Sequence, residues 1–187
     1  MPAKAVLLAC IFLLSIVAPG ATAPAPSSAA SRSDLEQIER LTNQLRTGRG
    51  LAPVHLDAGL CRAAAGHALD MAQNHYFGHT RRTTGLFGES TPGSRASAEG
   101  YRWSFIAENI ACGQQTAPSA FLAWASSRPH YRNLVSPAVR ELGIGTARNR
   151  QTNRPYWVMM LGSRQESLAP PSEFLRATFG PVSAFSF

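Results

Sequence analysis

The sequence predicts an α+β domain in which helices pack against an antiparallel sheet. Helix-period apolar stripes come first along the chain, a strand hairpin comes late, and the second strand of that hairpin is apolar on both faces. Ser33 and Glu36 have the spacing of a capping box. They open a helix with Leu35, Ile38, Leu41 and Leu45 on one side, ended by Gly48 and Gly50. Asp57 is placed to cap a second, alanine-rich helix running to about His75, with Leu60, Ala64, Ala68 and Met71 facing inward. Residues 80–94 hold several Thr, Ser and Gly and read as a long surface loop. Pro118 suits the first turn of a third helix, whose apolar side is Phe121, Leu122 and Trp124 and whose end reaches His130. Leu142, Ile144 and Thr146 then alternate with glycines and lead to Ala147. Residues 149–154 make a polar turn, and residues 156–161 (YWVMML) read as a buried central strand.

The two ends do not share this patterning. Lys4 precedes an apolar run over residues 5–18, followed by Pro19-Gly20-Ala21-Thr22-Ala23. A positive start, an apolar middle and a small-residue A-x-A end read as a secretory signal peptide over 1–23. The run is shorter than the roughly 20 residues a bilayer span needs, so no transmembrane segment is expected in the mature chain. Leu7-Leu8-Ala9-Cys10 looks like a lipobox, but most of the apolar run lies after Cys10. Residues 24–33 are a flexible Pro/Ala/Ser lead-in, 34–163 the domain, and 164–187 a poorly ordered tail of Pro, Ser and Phe. Cleavage after Ala23 leaves 187 − 23 = 164 residues, enough for one domain. The mature protein is expected to be extracellular or periplasmic.

Charge and cysteines narrow the function classes. The formal charge of +7 falls to +6 once Lys4 is removed, and every Lys/Arg cation left is an arginine. These are scattered, with no run longer than Arg81-Arg82, which describes a solvated surface rather than a specific nucleic-acid site. Cys61 and Cys112 remain after cleavage. An even pair in an oxidising compartment suggests a disulfide, with two free buried thiols as the alternative. There is no C-x-x-C, no G-x-S-x-G nucleophile turn and no Gly-rich phosphate loop.

Polar groups in apolar settings are the remaining candidates for chemistry. His79 follows Tyr76-Phe77, Glu108 lies within Ile106-Ala107-Glu108-Asn109-Ile110, and His130 follows Trp124. A buried carboxylate needs a partner, and histidine is an obvious one. Two imidazoles and a carboxylate suit a divalent ion or an acid/base pair, and equally a structural polar cluster. His67, on the inner helix face, reads as a core histidine, and His55 and His75 as surface or capping residues.

The ordered set of motifs resembles bacterial members of the CAP superfamily, the SCP-like extracellular domain. Asn43-x-x-Arg46, Gly50-Leu51-x-Pro53-Val54 and Leu56-Asp57 lead into Leu69-Asp70-Met71-Ala72 and Tyr76-Phe77-Gly78-His79-Thr80. Arg95, Gly100-Tyr101 and Ala107-Glu108-Asn109-Ile110 follow. Trp124, Ser127, His130, Asn133-Leu134, Glu141-Leu142-Gly143-Ile144-Gly145 and Tyr156-Trp157 complete the series. The resemblance implies a three-layer α-β-α sandwich with a large cleft lined by two histidines and two glutamates, where some members bind a divalent metal. His79, Glu108 and His130 match three of those positions, and Ser127 stands at the fourth. On that basis His79, Glu108, His130 and Ser127 are the cleft residues. His79 and His130 are the ligands expected for a divalent metal such as zinc, with Glu108 orienting a ring N–H. The expected function is binding of a lipid, glycan, peptide or other envelope component. The alternative is an extracytoplasmic hydrolase of peptide, cell-wall or nucleic-acid bonds, which the missing second carboxylate weighs against.

Overall fold

A computed structural model describes residues 30–82 and 88–165 of the chain. The proposed signal peptide and most of the tail lie outside the described residues. Helix α1 (Arg32–Thr47) begins two residues earlier than its first Ser/Glu pair suggested. Ser31 and Asp34 form the capping box, while Glu36 instead pairs with Arg32 one turn back at 2.9 Å. Two-residue strand β1 (His55–Leu56) leads to α2 (Ala58–Asn74), capped by Asp57 through the Leu60 N–H as expected. The described part of the next segment is not all loop. It holds an antiparallel pair, β2 (Arg81–Arg82) and β3 (Glu89–Ser90), then α3 (Pro92–Ala98) behind a Thr91 cap. Strand β4 (Trp103–Cys112), α4 (Ala117–Ala125), α5 (Arg128–Leu134), β5 (Glu141–Arg148) and β6 (Pro155–Arg164) complete the order. His130 therefore sits on its own helix and not at the end of α4. Ser126-Ser127 break the helix, and Pro129 starts the new one.

The main sheet has the order β1-β5-β6-β4, so the YWVMML strand β6 is central, between β5 and β4. β6 runs antiparallel to both neighbours, whereas the short β1 runs parallel to β5, which makes the sheet mixed rather than purely antiparallel. Alternation along β6 divides the core. Tyr156, Val158 and Met160 face α2 with Leu60, Ala64 and Met71, while Trp157, Met159 and Leu161 face α1 and α4 with Ile38 and Trp124. The result is the three-layer α-β-α sandwich. The glycines of β5 set the spacing of one interface: a Cβ on Gly143 or Gly145 would lie 2.1 Å from the α2 backbone, at Leu60 or Ala65. Helix and strand touch main chain to main chain, which no larger residue permits.

The expected Cys61–Cys112 disulfide is not formed, and both thiols are free. Cys61 lies against Gly143. Cys112 is two strands away and pairs with Tyr156, which pairs in turn with Ala147. Four residues along a strand and two strands across amount to roughly 13 Å by 10 Å, far beyond the roughly 7 Å Cα reach of a disulfide.

Candidate functional site

The site wraps the outer edge of β4. Helix α2 ends at His75, which takes the left-handed conformation (φ 55°) and turns the chain so that residues 76–79 cross over that edge. Two bonds hold the turn. The buried His67 on α2 donates from Nε2 to the Gly78 carbonyl at 3.0 Å, and the Tyr76 hydroxyl donates to Asp70 Oδ2 at 2.5 Å. Burial pushes the His67 pKa down, more than the neighbouring Glu108 carboxylate raises it, so the ring is held in its neutral, single-donor form.

Glu108 points from β4 toward α2, and only 1% of its side chain is exposed. His79 Nδ1 donates to Oε1 at 2.9 Å and Arg95 Nη2 to Oε2 at 2.8 Å. The same Arg95 nitrogen donates to the His79 carbonyl at 2.9 Å, and Nη1 reaches the carbonyl and hydroxyl of Ser90 at 3.2 and 3.1 Å. Arg95 thus clamps the carboxylate and the histidine's own backbone together. With Nδ1 committed to Glu108, the half-exposed His79 ring keeps Nε2 for the solvent side.

On the other side of β4, Asn109 and Asn133 stitch the strand to α5. Asn109 donates to the His130 carbonyl at 3.1 Å. Asn133 donates to Asn109 Oδ1 at 2.8 Å and to the Glu108 carbonyl at 3.4 Å. The structure therefore joins His79 and Glu108 directly and brings His130 in from the opposite helix. Burial, and then the nearby His79, push the His130 pKa down. A cleft of about 540 Å³ opens on this side, with Tyr76, Phe77, Ile110, Trp124, Ser127 and His130 in its walls. The Ser127 hydroxyl caps nothing. Among the described residues, three buried polar atoms of lining residues have no hydrogen-bond partner: Gln114 Oε1, Trp124 Nε1 and His130 Nδ1.

Two residues of the cluster go beyond the expected set. Glu108 was expected to have a histidine partner, and its second partner is Arg95. A carboxylate with 1% of its side chain exposed calls for a cation, but nothing in the sequence singles out Arg95 among the scattered arginines. His67, read as a core residue, also lies 3.7 Å from Glu108 Oε1, beneath the site.

The fold and its motifs have counterparts. The sequence profile described as "CAP: Cysteine-rich secretory protein family" matches residues 39–161. The chain belongs to this family. Uncharacterized protein YkwD of Bacillus subtilis is 32% identical over 124 residues, which is 66% of this chain and 46% of YkwD. The chain thus spans less than half the length of that relative. An extracellular protein containing an SCP domain from Bacillus anthracis is 26% identical with a TM-score of 0.59, over 71% of this chain and 41% of that one. An outer surface protein from Borrelia burgdorferi is 22% identical with a TM-score of 0.63, over 73% of this chain and 96% of that one, and shares the fold. In this CAP domain Ser127 and His130 line the cleft, whereas the His79–Glu108–Arg95 clamp lies outside its lining. Among the described residues, no group of three or more His, Cys, Asp or Glu is placed to hold a metal ion.

Proposed function

We propose that this CAP domain is an extracytoplasmic binding module that holds a lipid, glycan or peptide ligand in the cleft beside His130 and Ser127. The cleft itself carries the reading. Its volume of about 540 Å³ falls within the range of small-molecule sites, and its walls mix apolar and aromatic surface from Phe77, Ile110 and Trp124 with polar groups from Gln114, Ser127 and Arg154. Both oxygens of Glu108 are bonded, to His79 and Arg95, which suits a structural clamp better than a carboxylate acting on a reacting bond. Export by residues 1–23 agrees with the extracellular and outer-surface location in the names of the B. anthracis and B. burgdorferi proteins.

The cleft has a built-in test. Cys112 lines it, whereas Cys61 lies elsewhere with a thiol pushed up by burial. Lipid, glycan and peptide fractions of the envelope are added separately during iodoacetamide alkylation, followed by intact mass. At least one fraction should slow alkylation of Cys112 several-fold and leave Cys61 unchanged. If none does, the binding reading is wrong.

A divalent ion fits only as a weak adjunct. His79 and His130 supply two imidazoles, and Ser127 provides no carboxylate, so water would complete the coordination. Zinc titration at pH 7.5 should show weak uptake that is lost in His79→Ala and strengthened in Ser127→Glu. Equal uptake by wild type and His79→Ala would remove this metal role.

A further inference from the structure

Resting on the binding reading above, we infer that the cleft takes an amphiphilic carboxylate, its charge on Arg154 and its apolar part against the aromatic wall. Arg154 is the one arginine in the lining, and among the described residues no Asp or Glu lines the cleft with it. Elsewhere, Arg62, Arg81, Arg95 and Arg164 pair with carboxylates, and Arg46 is held by backbone carbonyls. Arg154 is exposed, and among the described residues no carboxylate pairs with it.

The guanidinium lies over Gly113, just past the end of β4. A Cβ on Gly113 would sit 3.8 Å from Arg154 Nε and 4.0 Å from Nη2, and its φ of 101° excludes larger residues in any case. Burial and the Cys112 thiol push the Tyr156 pKa up, and the Arg154 charge pulls it partly back, so that charge stands near the Tyr156 hydroxyl in the cleft wall. The turn behind Arg154 is cross-braced by the buried Asn149. Its Oδ1 accepts the Gln151 and Thr152 N–H groups at 3.0 and 2.9 Å, and its own N–H donates to the Arg154 carbonyl at 2.9 Å. With Oδ1 so used, Nδ2 donates to the Ala72 carbonyl at 2.8 Å and to His75 Nδ1 at 3.0 Å. The His75 ring proton is therefore on Nε2, which adds a second N–H donor among the lining residues, tied to the same turn as Arg154.

These features select a monoanion with an apolar body. A single guanidinium balances one negative charge, and its planar fork matches the two oxygens of a carboxylate. A dianionic phosphate would leave one charge unmatched, and a neutral sugar or alkyl chain would gain nothing from the cation. Phe77, which is 54% exposed, with Ile110 and Tyr156 gives the rest of the ligand an apolar surface to lie on.

The test uses probes matched except in charge: N-acetyl-phenylalanine against its amide, and octanoate against octanamide, with inorganic phosphate as a bare anion. Protection of Cys112 from iodoacetamide is read on the mature protein, with Cys61 as the control. At least one carboxylate should protect Cys112 saturably and bind about fivefold or more tightly than its amide, and added salt should weaken the carboxylate alone. Which pair responds separates an amino-acid carboxylate from a fatty-acid one. Arg154→Gln should abolish the preference for the acid. Arg150→Gln, on the same turn but outside the cleft lining, should keep it. Protection is compared within each variant, because loss of the nearby charge also alters the thiol. Arg154 is exposed and its carbonyl keeps the Asn149 bond in the variant, so the substitution tests charge and not folding. Amides that bind as well as the acids, a preference that survives Arg154→Gln, or phosphate that protects as well as the carboxylates overturns the proposal. So does the failure of every probe. In that last case, protection of Cys112 by an envelope fraction would leave the binding reading standing, and no protection by any fraction would end both.

Discussion

Arg46 and Trp124 are both fully buried on the same side of the sheet, and their donors fare oppositely. The Arg46 guanidinium sits in a cage of backbone carbonyls. Nε donates to Ala52 at 2.9 Å, Nη1 to Leu134 and Ser136 at 2.9 Å each, and Nη2 to Val139 at 3.1 Å. No carboxylate takes part, and the charge is spread over peptide dipoles that tie α1 to the segment leading into β5. Trp124 keeps its indole N–H unbonded beside the cleft. A buried polar group with every bond made belongs to the architecture. One with a bond unmade adds little hydrogen-bond energy of its own, and its contribution is packing.

The largest effect expected from breaking this contrast is at the cage. Arg46→Met should keep the volume but leave the Ala52 and Leu134 carbonyls without a donor, while Ser136 keeps the Val139 N–H and Val139 keeps Arg140, costing about 3–5 kcal/mol in urea unfolding. A loss under about 1 kcal/mol would show that water replaces the guanidinium freely. At the clamp, Glu108→Gln leaves Arg95 without its counter-charge and should cost about 2–3 kcal/mol by the same measurement. It should also loosen the turn that carries His79, seen as faster amide exchange over residues 76–79.

Next comes pH. The folded His67 and His130 both titrate below the ordinary 6.5, chiefly because burial disfavours the charged ring. Below about pH 6.5 the unfolded chain then binds more protons than the folded one, and stability falls as pH drops through and beneath that value. Urea midpoints from pH 8 to pH 5 should decline accordingly. His67→Gln, whose amide still donates to the Gly78 carbonyl, should flatten part of the slope. An unchanged slope would mean that His67 charges as readily folded as unfolded.

The smallest effect is the sharpest. Trp124→Phe, at a site with no exposure, should change stability by no more than about 1 kcal/mol, because no hydrogen bond is lost and the vacated volume is small. A loss of more than about 3 kcal/mol would mean the indole N–H has a structural partner after all.

Much of this was legible in the chain, for local reasons. Asp57 before an alanine-rich stripe, Pro118 at a helix start and a doubly apolar strand after a polar turn are signals carried within a few residues, and each element formed where it was read. Misplacements arose where two local solutions competed. Ser31 with Asp34 and Ser33 with Glu36 both fit a capping box, and the structure uses the first. The α4–α5 break was available in Ser126-Ser127 and Pro129, and the reading that carried the third helix on to His130 passed over it. At the site, Glu108 declared itself as a carboxylate among apolar neighbours, whereas Arg95 and His67 became its neighbours only through tertiary folding. The cysteines failed for the same reason: parity and compartment say nothing about a separation set by strand register.

The Asn133 bond to the Glu108 carbonyl has a consequence for how this protein keeps company with itself. β4 is an outer strand ten residues long, and an uncovered outer strand is a template for pairing with another chain. Asn133 caps one of its carbonyls from α5, and the crossing of residues 76–79 screens the same stretch. At the opposite margin, β1 offers only two residues, too few to seed an added strand. Both margins of the sheet are thereby poor templates for an added strand, and at β4 two of the screening residues, Tyr76 and Phe77, also line the cleft.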